Sequence, residues 1–193
     1  MKKMLVVVDY QVDFVNGSLG FDGAEKLDAG IAAMVRDAAD KGDIIVVTRD
    51  THAADYLKTR EGKALPIEHC IRGQKGWEIY GETRKALEEV SKAPEMAENL
   101  VYIDKETFGV SPADMLMLSR KFAVDEVVLV GLVTNMCVMA NVCCFQACFP
   151  AAQMVVDADL CDSFDKELHK KTIDVLKGMQ VKVLRDPWLH RAI

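Results

Sequence analysis

A repeated alternation of short apolar runs with amphipathic segments is the feature of this sequence that most restricts its fold. The first apolar run spans residues 4–8, and five comparable runs follow it along the chain. Short buried strands that alternate with helices are typical of a parallel sheet covered on both faces. We therefore predict an α/β fold, a three-layer α/β/α arrangement around a mostly parallel six-stranded sheet with right-handed crossovers.

The segment boundaries follow from hydrophobic periodicity and from residues that start or stop helices. Ser111 followed by Pro112 is typical of a helix start, because proline lacks an amide hydrogen that would go unpaired there. Pro150 stops a helix, and Gly178 suits a helix end. The predicted strands cover residues 4–8, 44–47, 100–103, 127–130, 154–156 and 181–184. The predicted helices cover residues 24–41, 82–90, 112–122, 136–149 and 165–177.

The length and charge of the chain restrict its class further. A chain of 193 residues, half of them hydrophobic, suffices for one large core, so we predict a single domain over residues 1–193. The net charge of −6 is mild and includes no basic stripe, which argues against nucleic acid as a partner. No apolar stretch has the length or flanks of a signal peptide or membrane span, so we expect a cytoplasmic protein with no membrane partner.

The cysteines and one apolar helix give two further expectations. The six cysteines form neither C-x-x-C pairs nor a spaced disulfide pattern, and a reducing compartment would keep them as thiols. We expect Cys143, Cys144 and Cys148 to fill the core. The predicted helix 136–149 is apolar almost all round, so it is either buried in its own domain or partly covered by another subunit of a homo-oligomer.

Chemically versatile residues follow the ends of four predicted strands. Asp9, Asp50 and Lys105 each come at or shortly after a strand end, and Cys137 lies in the turn after the strand 127–130. The carboxyl ends of parallel strands face a common crevice, where ligands bind. The sequence therefore predicts that a carboxylate, an ammonium group and a thiol meet at one edge of the sheet.

Cys137 is the predicted nucleophile of that crevice. A thiol in the first turn of a helix is close to the positive end of the helix dipole, which stabilises its thiolate. Asp9 could take the thiol proton, Lys105 could stabilise the thiolate, and backbone amides of the turn 132–137 could bind a carbonyl oxygen. The alternative is a buried structural cysteine beside a salt bridge between Asp9 and Lys105.

The long polar segment at 49–81 is a candidate metal site. It contains Asp50, His52, Glu61 and His69, and it begins at the same crevice. Carboxylate and imidazole ligands suit a divalent ion such as zinc, manganese or iron, with water in the remaining positions. Because long loops in compact domains are usually functional, we predict that this segment binds one such ion.

Five further residues have less specific assignments. Phe14 could form an aromatic wall of the pocket, whereas Asp13 could cap a turn. Trp77 is suited equally to loop packing and to stacking on a ligand. His169 and His190 lie in the last predicted helix and the tail, where we expect a solvated or capping role.

Taken together, these motifs resemble those of the isochorismatase-like cysteine hydrolases, and within that superfamily those of the nicotinamidases. The stretches that carry the resemblance are DYQVDF at 9–14, HCIRGQKG at 69–76, KETF at 105–108 and GLVTNMCV at 131–138. They extend over most of the chain. Leu65 departs from the pattern, because a bulky aromatic often stands there, and Thr134-Asn135 replaces the more frequent Thr-Asp.

The resemblance implies particular roles for particular residues. It implies a catalytic triad of Asp9, Lys105 and Cys137, with a cis peptide between Leu132 and Val133. The implied oxyanion-binding amides are those of Val133 and Cys137. The implied metal ligands are Asp50, His52 and His69, with Glu61 as a fourth ligand found in some members. The implied substrate pocket contains Phe14, Leu65, Trp77, Phe108 and Leu132.

The function that the resemblance implies is that of a metal-containing cysteine amidohydrolase with a small carboxamide substrate. The expected reaction converts nicotinamide to nicotinate and ammonia through a thioester on Cys137, as in NAD salvage, with one zinc, iron or manganese ion bound. One alternative is a hydrolase of the same superfamily that acts on another amide, an ureido compound or isochorismate. A more distant alternative is a phospho-acceptor signalling domain, which also places aspartates and a lysine at strand ends.

Overall fold

A six-stranded sheet is the centre of the computed structural model, which describes residues 1–186. Its strands are β1 (Lys3–Val8), β2 (Ile44–Asp50), β3 (Leu100–Lys105), β4 (Glu126–Leu132), β5 (Gln153–Asp162) and β6 (Lys182–Leu184). Their order is β3-β2-β1-β4-β5-β6, and all neighbouring pairs are parallel. The predicted α/β class and three-layer architecture are confirmed. Because the strand order reverses between β1 and β4, the loops after these strands leave a crevice between them.

Helices cover both faces of the sheet. They are α1 (Val12–Val15), α2 (Asp28–Asp40), α3 (Arg60–Ala64), α4 (Gly81–Val90), α5 (Pro112–Lys121), α6 (Met139–Cys148) and α7 (Lys166–Gly178). Alternate residues of β1 point to opposite faces, so Val6 packs in a core with α5, α6 and α7, whereas Val7 packs with α2 and α4. Strands buried on both faces are read as continuous apolar runs, which is why the sequence identified them.

Several element boundaries differ from the prediction, most clearly those of the first predicted helix and of β5. The predicted helix 24–41 begins with a 3₁₀ turn, Ala24–Leu27, and becomes α-helical at Asp28. Strand β5 runs to Asp162, six residues beyond its predicted end at Val156, with a register shift against β4. Asp157, the first residue beyond the predicted end, is buried, and its carboxylate accepts hydrogen bonds from Arg185.

The environment of α6 also differs from the expectation. Val142 and Phe145 face the core, whereas Cys143 is exposed and Cys144 and Cys148 are half-buried against the core edge. The expectation that all three cysteines fill the core is therefore wrong for Cys143. The helix has one outward face despite its apolar composition, since residues four apart share a face and Cys143 lies opposite the buried pair. No helix within residues 1–186 has the length and apolarity needed to cross a bilayer.

Strand β4 passes unusually close to β1 at Gly131. This glycine has φ of +116°, and a Cβ atom there would lie 2.1 Å from the carbonyl oxygen of Val8. We expect Gly131→Ala to lower the free energy of unfolding by about 3 kcal/mol, because it combines backbone strain with overpacking. Urea unfolding measures the effect. Gly178→Ala is the control, because the added Cβ atom meets nothing within 4 Å. Its free energy of unfolding should be unchanged or slightly higher. Equal losses of unfolding free energy in the two variants would contradict the argument.

Candidate active site

The three residues of the predicted triad meet above the carboxyl edge of the sheet. Asp9 follows β1, Lys105 is the last residue of β3, and Cys137 lies in the turn after β4. The Nζ atom of Lys105 is 2.6 Å from Oδ2 of Asp9 and 3.7 Å from Sγ of Cys137. The exposed fractions are 0% for Asp9, 3% for Lys105 and 6% for Cys137, so the ammonium group bridges the acid and the thiol in a buried position.

A threonine that the sequence analysis did not identify holds the Asp9 carboxylate. Thr48, on the neighbouring strand β2, donates a hydrogen bond of 2.7 Å from its hydroxyl to Oδ1 of Asp9. The backbone of Asp9 has φ of 45°, in the left-handed region, and its amide donates to the carbonyl oxygen of Thr48. Strained backbone of this kind persists where the surroundings hold it. The one available signal was a polar residue at the end of the apolar run of β2.

Cys137 is presented by a turn of π-helix. The peptide between Leu132 and Val133 is cis, as the resemblance implied. The π-helical turn Thr134–Val138 follows it and leads into α6. The carbonyl oxygen of Val133 accepts hydrogen bonds from the amides of Met136 and Val138, which closes the turn around Cys137.

Burial dominates the electrostatics of the triad. It raises the pKa of the Cys137 thiol well above its usual value, and the charge of Asp9 raises that pKa further, whereas Lys105 opposes both. Burial also raises the pKa of Asp9 against the opposing charge of Lys105. For Lys105, burial alone would lower the pKa, but the charges of Asp9, Cys137 and Asp50 outweigh it and raise the pKa. Burial and the charge of Asp9 thus favour the neutral thiol of Cys137, whereas the ammonium group of Lys105 favours its thiolate.

A second polar cluster adjoins the triad. The ligand atoms of Asp50, His52 and His69 lie within 4.8 Å of one another, and all three side chains are buried. Oδ2 of Asp50 is 3.0 Å from Nε2 of His52 and 3.3 Å from Nε2 of His69, while its Oδ1 is 3.6 Å from Nζ of Lys105. Asp50 therefore belongs to both clusters. Glu61 is not part of this cluster of three, but it lines the same cavity as Asp50 and His69.

The three residues of this cluster fit a divalent metal ion. One carboxylate and two imidazoles are donors that suit zinc, manganese or iron. Nδ1 of His69 is 2.8 Å from the carbonyl oxygen of Ile67, which can only accept a hydrogen bond. A neutral His69 therefore carries its hydrogen on Nδ1 and directs the lone pair of Nε2 at the cluster, which is the arrangement found in metal-binding histidines.

Backbone contacts explain why residues distant in sequence form this cluster. His52 pairs with Ile71 in a parallel bridge, in which the amide of His52 donates to the carbonyl oxygen of Cys70. The side chain of Gln11 bonds both the amide and the carbonyl group of Asp50, at 2.7 and 2.9 Å. Asp13 accepts a hydrogen bond of 2.7 Å from the amide of Cys70. The stretch 9–14 thus holds the loop that contains His52 and His69, a role that sequence reasoning did not assign to Gln11 or Asp13.

A cavity of about 470 Å³ opens onto both clusters. Its polar lining consists of Ser18, Asp50, Glu61, His69 and Cys137, and neither lysine nor arginine lines it within the described part of the chain. Its larger apolar side chains are Phe14, Leu19, Leu65, Phe108, Met136 and Phe164. The structure thus places the sequence-predicted residues Phe14, Leu65 and Phe108 at the cavity. It adds Leu19, Met136 and Phe164, for which the sequence offered no distinct signal.

Two residues assigned to the pocket do not line this cavity. The indole nitrogen of Trp77 donates a hydrogen bond of 2.8 Å to Thr51, and the guanidinium carbon of Arg49 lies 4.0 Å from the centre of the Trp77 ring. Trp77 therefore packs within the loop, which is the first of the two roles predicted for it, rather than stacking on a ligand. Leu132 is fully buried in the core on the side of α2 and α4. The assignment of Leu132 and Trp77 to the pocket was wrong.

The two C-terminal histidines had been expected to be solvated or capping. His169 instead is buried on α7, with 5% of its surface exposed, and Nδ1 of its ring is 2.7 Å from the hydroxyl oxygen of Thr134. The expectation failed because helix α7 turns this residue towards the turn that carries Cys137. His190 lies outside the described residues.

Comparisons with known proteins are consistent with this geometry. The nicotinamidase/pyrazinamidase PncA from Bacillus subtilis is 27% identical, with 96% of this chain and 100% of that chain covered and a TM-score of 0.85. The pyrazinamidase/nicotinamidase from Streptococcus mutans UA159 is 25% identical, with 95% and 100% covered and a TM-score of 0.83. The pyrazinamidase of Pyrococcus horikoshii in complex with zinc, at 23% identity, 96% and 100% coverage and a TM-score of 0.78, has the same fold. Comparison with curated protein sequences found no significant match.

The parallel sheet, its covering helices and the polar crevice at its carboxyl edge define an α/β hydrolase of the isochorismatase-like type. The chain belongs to the isochorismatase family, because the model of the Isochorismatase domain matches residues 3–186. The phospho-acceptor alternative has no support from these comparisons.

Proposed function

We propose that this protein hydrolyses a small uncharged carboxamide, with nicotinamide as the leading candidate, to the carboxylic acid and ammonia. The observation that carries the proposal is the contact of Lys105 with both Asp9 and Cys137 on the cavity side of the sheet. The carboxylate, ammonium group and thiol are the functional groups that acyl transfer to sulfur requires. The likeness to nicotinamidases of about a quarter identity supports this choice of substrate.

The first half-reaction forms a thioester on Cys137. As sulfur attacks the carbonyl carbon, Asp9 takes the thiol proton, and the raised pKa of Asp9 brings it closer to the working pH of a general base. The amides of Val133 and Cys137 donate to the oxygen that becomes negative. When the C–N bond breaks, Asp9 returns the proton to the departing nitrogen, which leaves as ammonia. Lys105 compensates the negative charge on sulfur and on Asp9 throughout.

The second half-reaction consumes water. A water molecule attacks the thioester carbon while Asp9 takes one of its protons, and the C–S bond breaks. The acid departs and Cys137 recovers its thiol proton from Asp9. Amide and water are thereby converted to acid and ammonia, with the three side chains restored to their starting state.

Asp50, His52 and His69 would hold one divalent ion, with Glu61 close enough to the cavity to contribute. When bound, such an ion supplies a Lewis acid that can bind a ring nitrogen or a water molecule of the pocket. The chain's own aromatic residues orient the substrate, because Phe14 lies beside His69 with ring centres 5.7 Å apart. Phe14 can therefore pack against a flat ring whose carboxamide is directed at Cys137.

The charge of the cavity favours an uncharged amide over the alternatives. Isochorismate and N-carbamoyl amino acids carry carboxylates, which are usually bound by arginine or lysine. The described cavity lining contains no lysine or arginine that could pair with a substrate carboxylate. A neutral aromatic carboxamide needs no such partner.

Ammonia release from a panel of amides tests the proposal. The protein is first loaded separately with zinc, iron or manganese, and then given nicotinamide, pyrazinamide, benzamide and N-carbamoylsarcosine. We expect release from the first two, and slower release from benzamide because it lacks the ring nitrogen. Preference for N-carbamoylsarcosine, or release from none of the amides, would refute the proposed function.

Metal content provides a separate prediction. We expect the wild-type protein to bind about one zinc per chain after dialysis, and His69→Ala to retain at least about tenfold less zinc. Mutation of a residue that only supports a metal ligand typically lowers metal affinity about 10- to 100-fold, and loss of the ligand itself should lower it more. Elemental analysis measures the content. Glu68→Gln, next to His69 but exposed, is the matched control and should bind zinc as the wild type does. Full zinc content in His69→Ala would show that the ion is held elsewhere.

A further inference from the structure

A buried hydrogen bond connects the turn that carries Cys137 to helix α7, an element that contains neither Asp9 nor Lys105. Thr134 is the first residue of this turn and has no exposed surface. Its hydroxyl oxygen lies 2.7 Å from Nδ1 of His169, which is on α7. Neither residue lines the cavity that opens onto the triad. The pair therefore contacts the turn of Cys137 without facing the cavity.

Helix α7 is a firm support for this contact. Its residues Ile173 and Leu176 are fully buried in the core that also contains Cys137, Val138 and Val142. The helix starts at a cap in which the side chain of Asp165 accepts a hydrogen bond of 2.9 Å from the amide of Leu168. A side chain that projects from such an anchored helix has little freedom to follow movements of the turn.

The position of this turn sets the distance between Cys137 and Lys105. Cys137 lies three residues after Thr134, and its Sγ atom is 3.7 Å from Nζ of Lys105. Burial lowers the pKa of His169, so that its ring is neutral and forms a hydrogen bond without placing a second cation near the thiol. Displacement of a reacting group by about 1 Å can lower the rate of an enzyme about a hundredfold.

We propose that His169 is a positioning residue, which acts through Thr134 to hold the turn of Cys137 in its reactive geometry. His169 does not touch the substrate in this role. The inference rests on the proposed function for its kinetic readout, and a chemical readout on the thiol makes it testable apart from the substrate.

The kinetic test uses three variants of the metal-loaded protein. His169→Leu removes the hydrogen bond and keeps an apolar side chain, and we expect it to lower kcat about 10- to 100-fold while KM changes less than about threefold. His169→Asn puts an amide group near the position of Nδ1 and should restore most of kcat. Thr134→Val removes the other partner and should match His169→Leu, and the double variant should be no slower than either.

Alkylation by iodoacetamide is the chemical test. Peptide mapping gives the rate of labelling at Cys137, with the exposed Cys143 in the same sample as the reference. We expect the ratio of Cys137 to Cys143 labelling to fall about tenfold or more in His169→Leu, because sulfur loses the ammonium group that stabilises its thiolate, and to recover in His169→Asn. This arm needs no turnover, so it decides on His169 even if no amide is hydrolysed.

A control separates positioning from general stability. Thr83 donates a buried hydrogen bond of 2.8 Å to Asp28 on the opposite face of the sheet. Thr83→Val should lower the melting temperature as His169→Leu does, but leave kcat and the labelling ratio at wild-type values. Unchanged kcat and labelling in His169→Leu, failure of His169→Asn to recover either, or an equal loss of kcat in Thr83→Val would each overturn the proposal.

Discussion

Replacement of Cys137 by serine is expected to lower kcat for amide hydrolysis by at least about a thousandfold without unfolding the protein. The hydroxyl of serine holds its proton far more tightly than the thiol, and the buried Asp9 carboxylate is too weak a base to remove it. Oxygen is also smaller than sulfur, so it lies farther from Lys105. Steady-state ammonia release from nicotinamide measures the loss, and thermal unfolding shows whether the fold is kept.

The matched control for this variant is Cys143→Ser. Cys143 is on the exposed side of α6, six residues further along the chain, and is not among the residues that line the cavity. Its replacement should leave both kcat and the melting temperature unchanged. If Cys137→Ser retained more than about a tenth of the wild-type activity, sulfur would not be the nucleophile, and the thioester mechanism would have to be abandoned.

Replacement of Lys105 by methionine is expected to have the largest effect on stability. Asp9 has no exposed surface, and Lys105 is its cationic partner at 2.6 Å. Removal of one partner of a buried ion pair leaves an uncompensated charge and typically costs about 3–5 kcal/mol of unfolding free energy. The variant should also lose at least about a hundredfold in kcat, because nothing then stabilises the thiolate. Urea unfolding and ammonia release measure the two effects.

Two further variants serve as controls for the loss of unfolding free energy in Lys105→Met. Lys166→Met removes an exposed partner of Asp162 and should change the unfolding free energy by less than about 1 kcal/mol. The double variant Asp9→Asn with Lys105→Met removes the uncompensated charge of Asp9, so it should be more stable than Lys105→Met alone. If the double variant were less stable than Lys105→Met, the charge of Asp9 would not be the source of the loss.

The fold and the location of the site could both be predicted from local features of the sequence. Strands β1, β2 and β4 are buried on both faces, so their apolar runs had no other plausible structure. Asp9 and Lys105 were recognisable because they end or follow such runs, and the carboxyl ends of parallel strands share one edge. The proximity of Asp50 to the triad could be predicted in the same way, since Asp50 ends β2.

Other features depended on contacts between residues far apart in sequence. Strand β5 was predicted to end at Val156, because nothing near Asp157 in the chain indicated that Arg185 would pair with its carboxylate. Trp77 was a pocket candidate, but its contacts with Thr51 and Arg49 hold its ring in loop packing. His169 lies 35 positions from Thr134, so no local pattern could have paired them.

The sequence by itself determined which segments are strands, in what order the polar residues follow them, and that a thiol, a carboxylate and an ammonium group share one edge of the sheet. These properties follow from hydrophobic periodicity and chain connectivity, which are local. Only the tertiary structure decided the direction in which the pKa of Cys137 shifts, the walls of the cavity and the contact of His169 with the turn. Burial and long-range packing control these properties, and the thiol pKa is raised because the fold removes Cys137 from water, a circumstance that no single segment encodes.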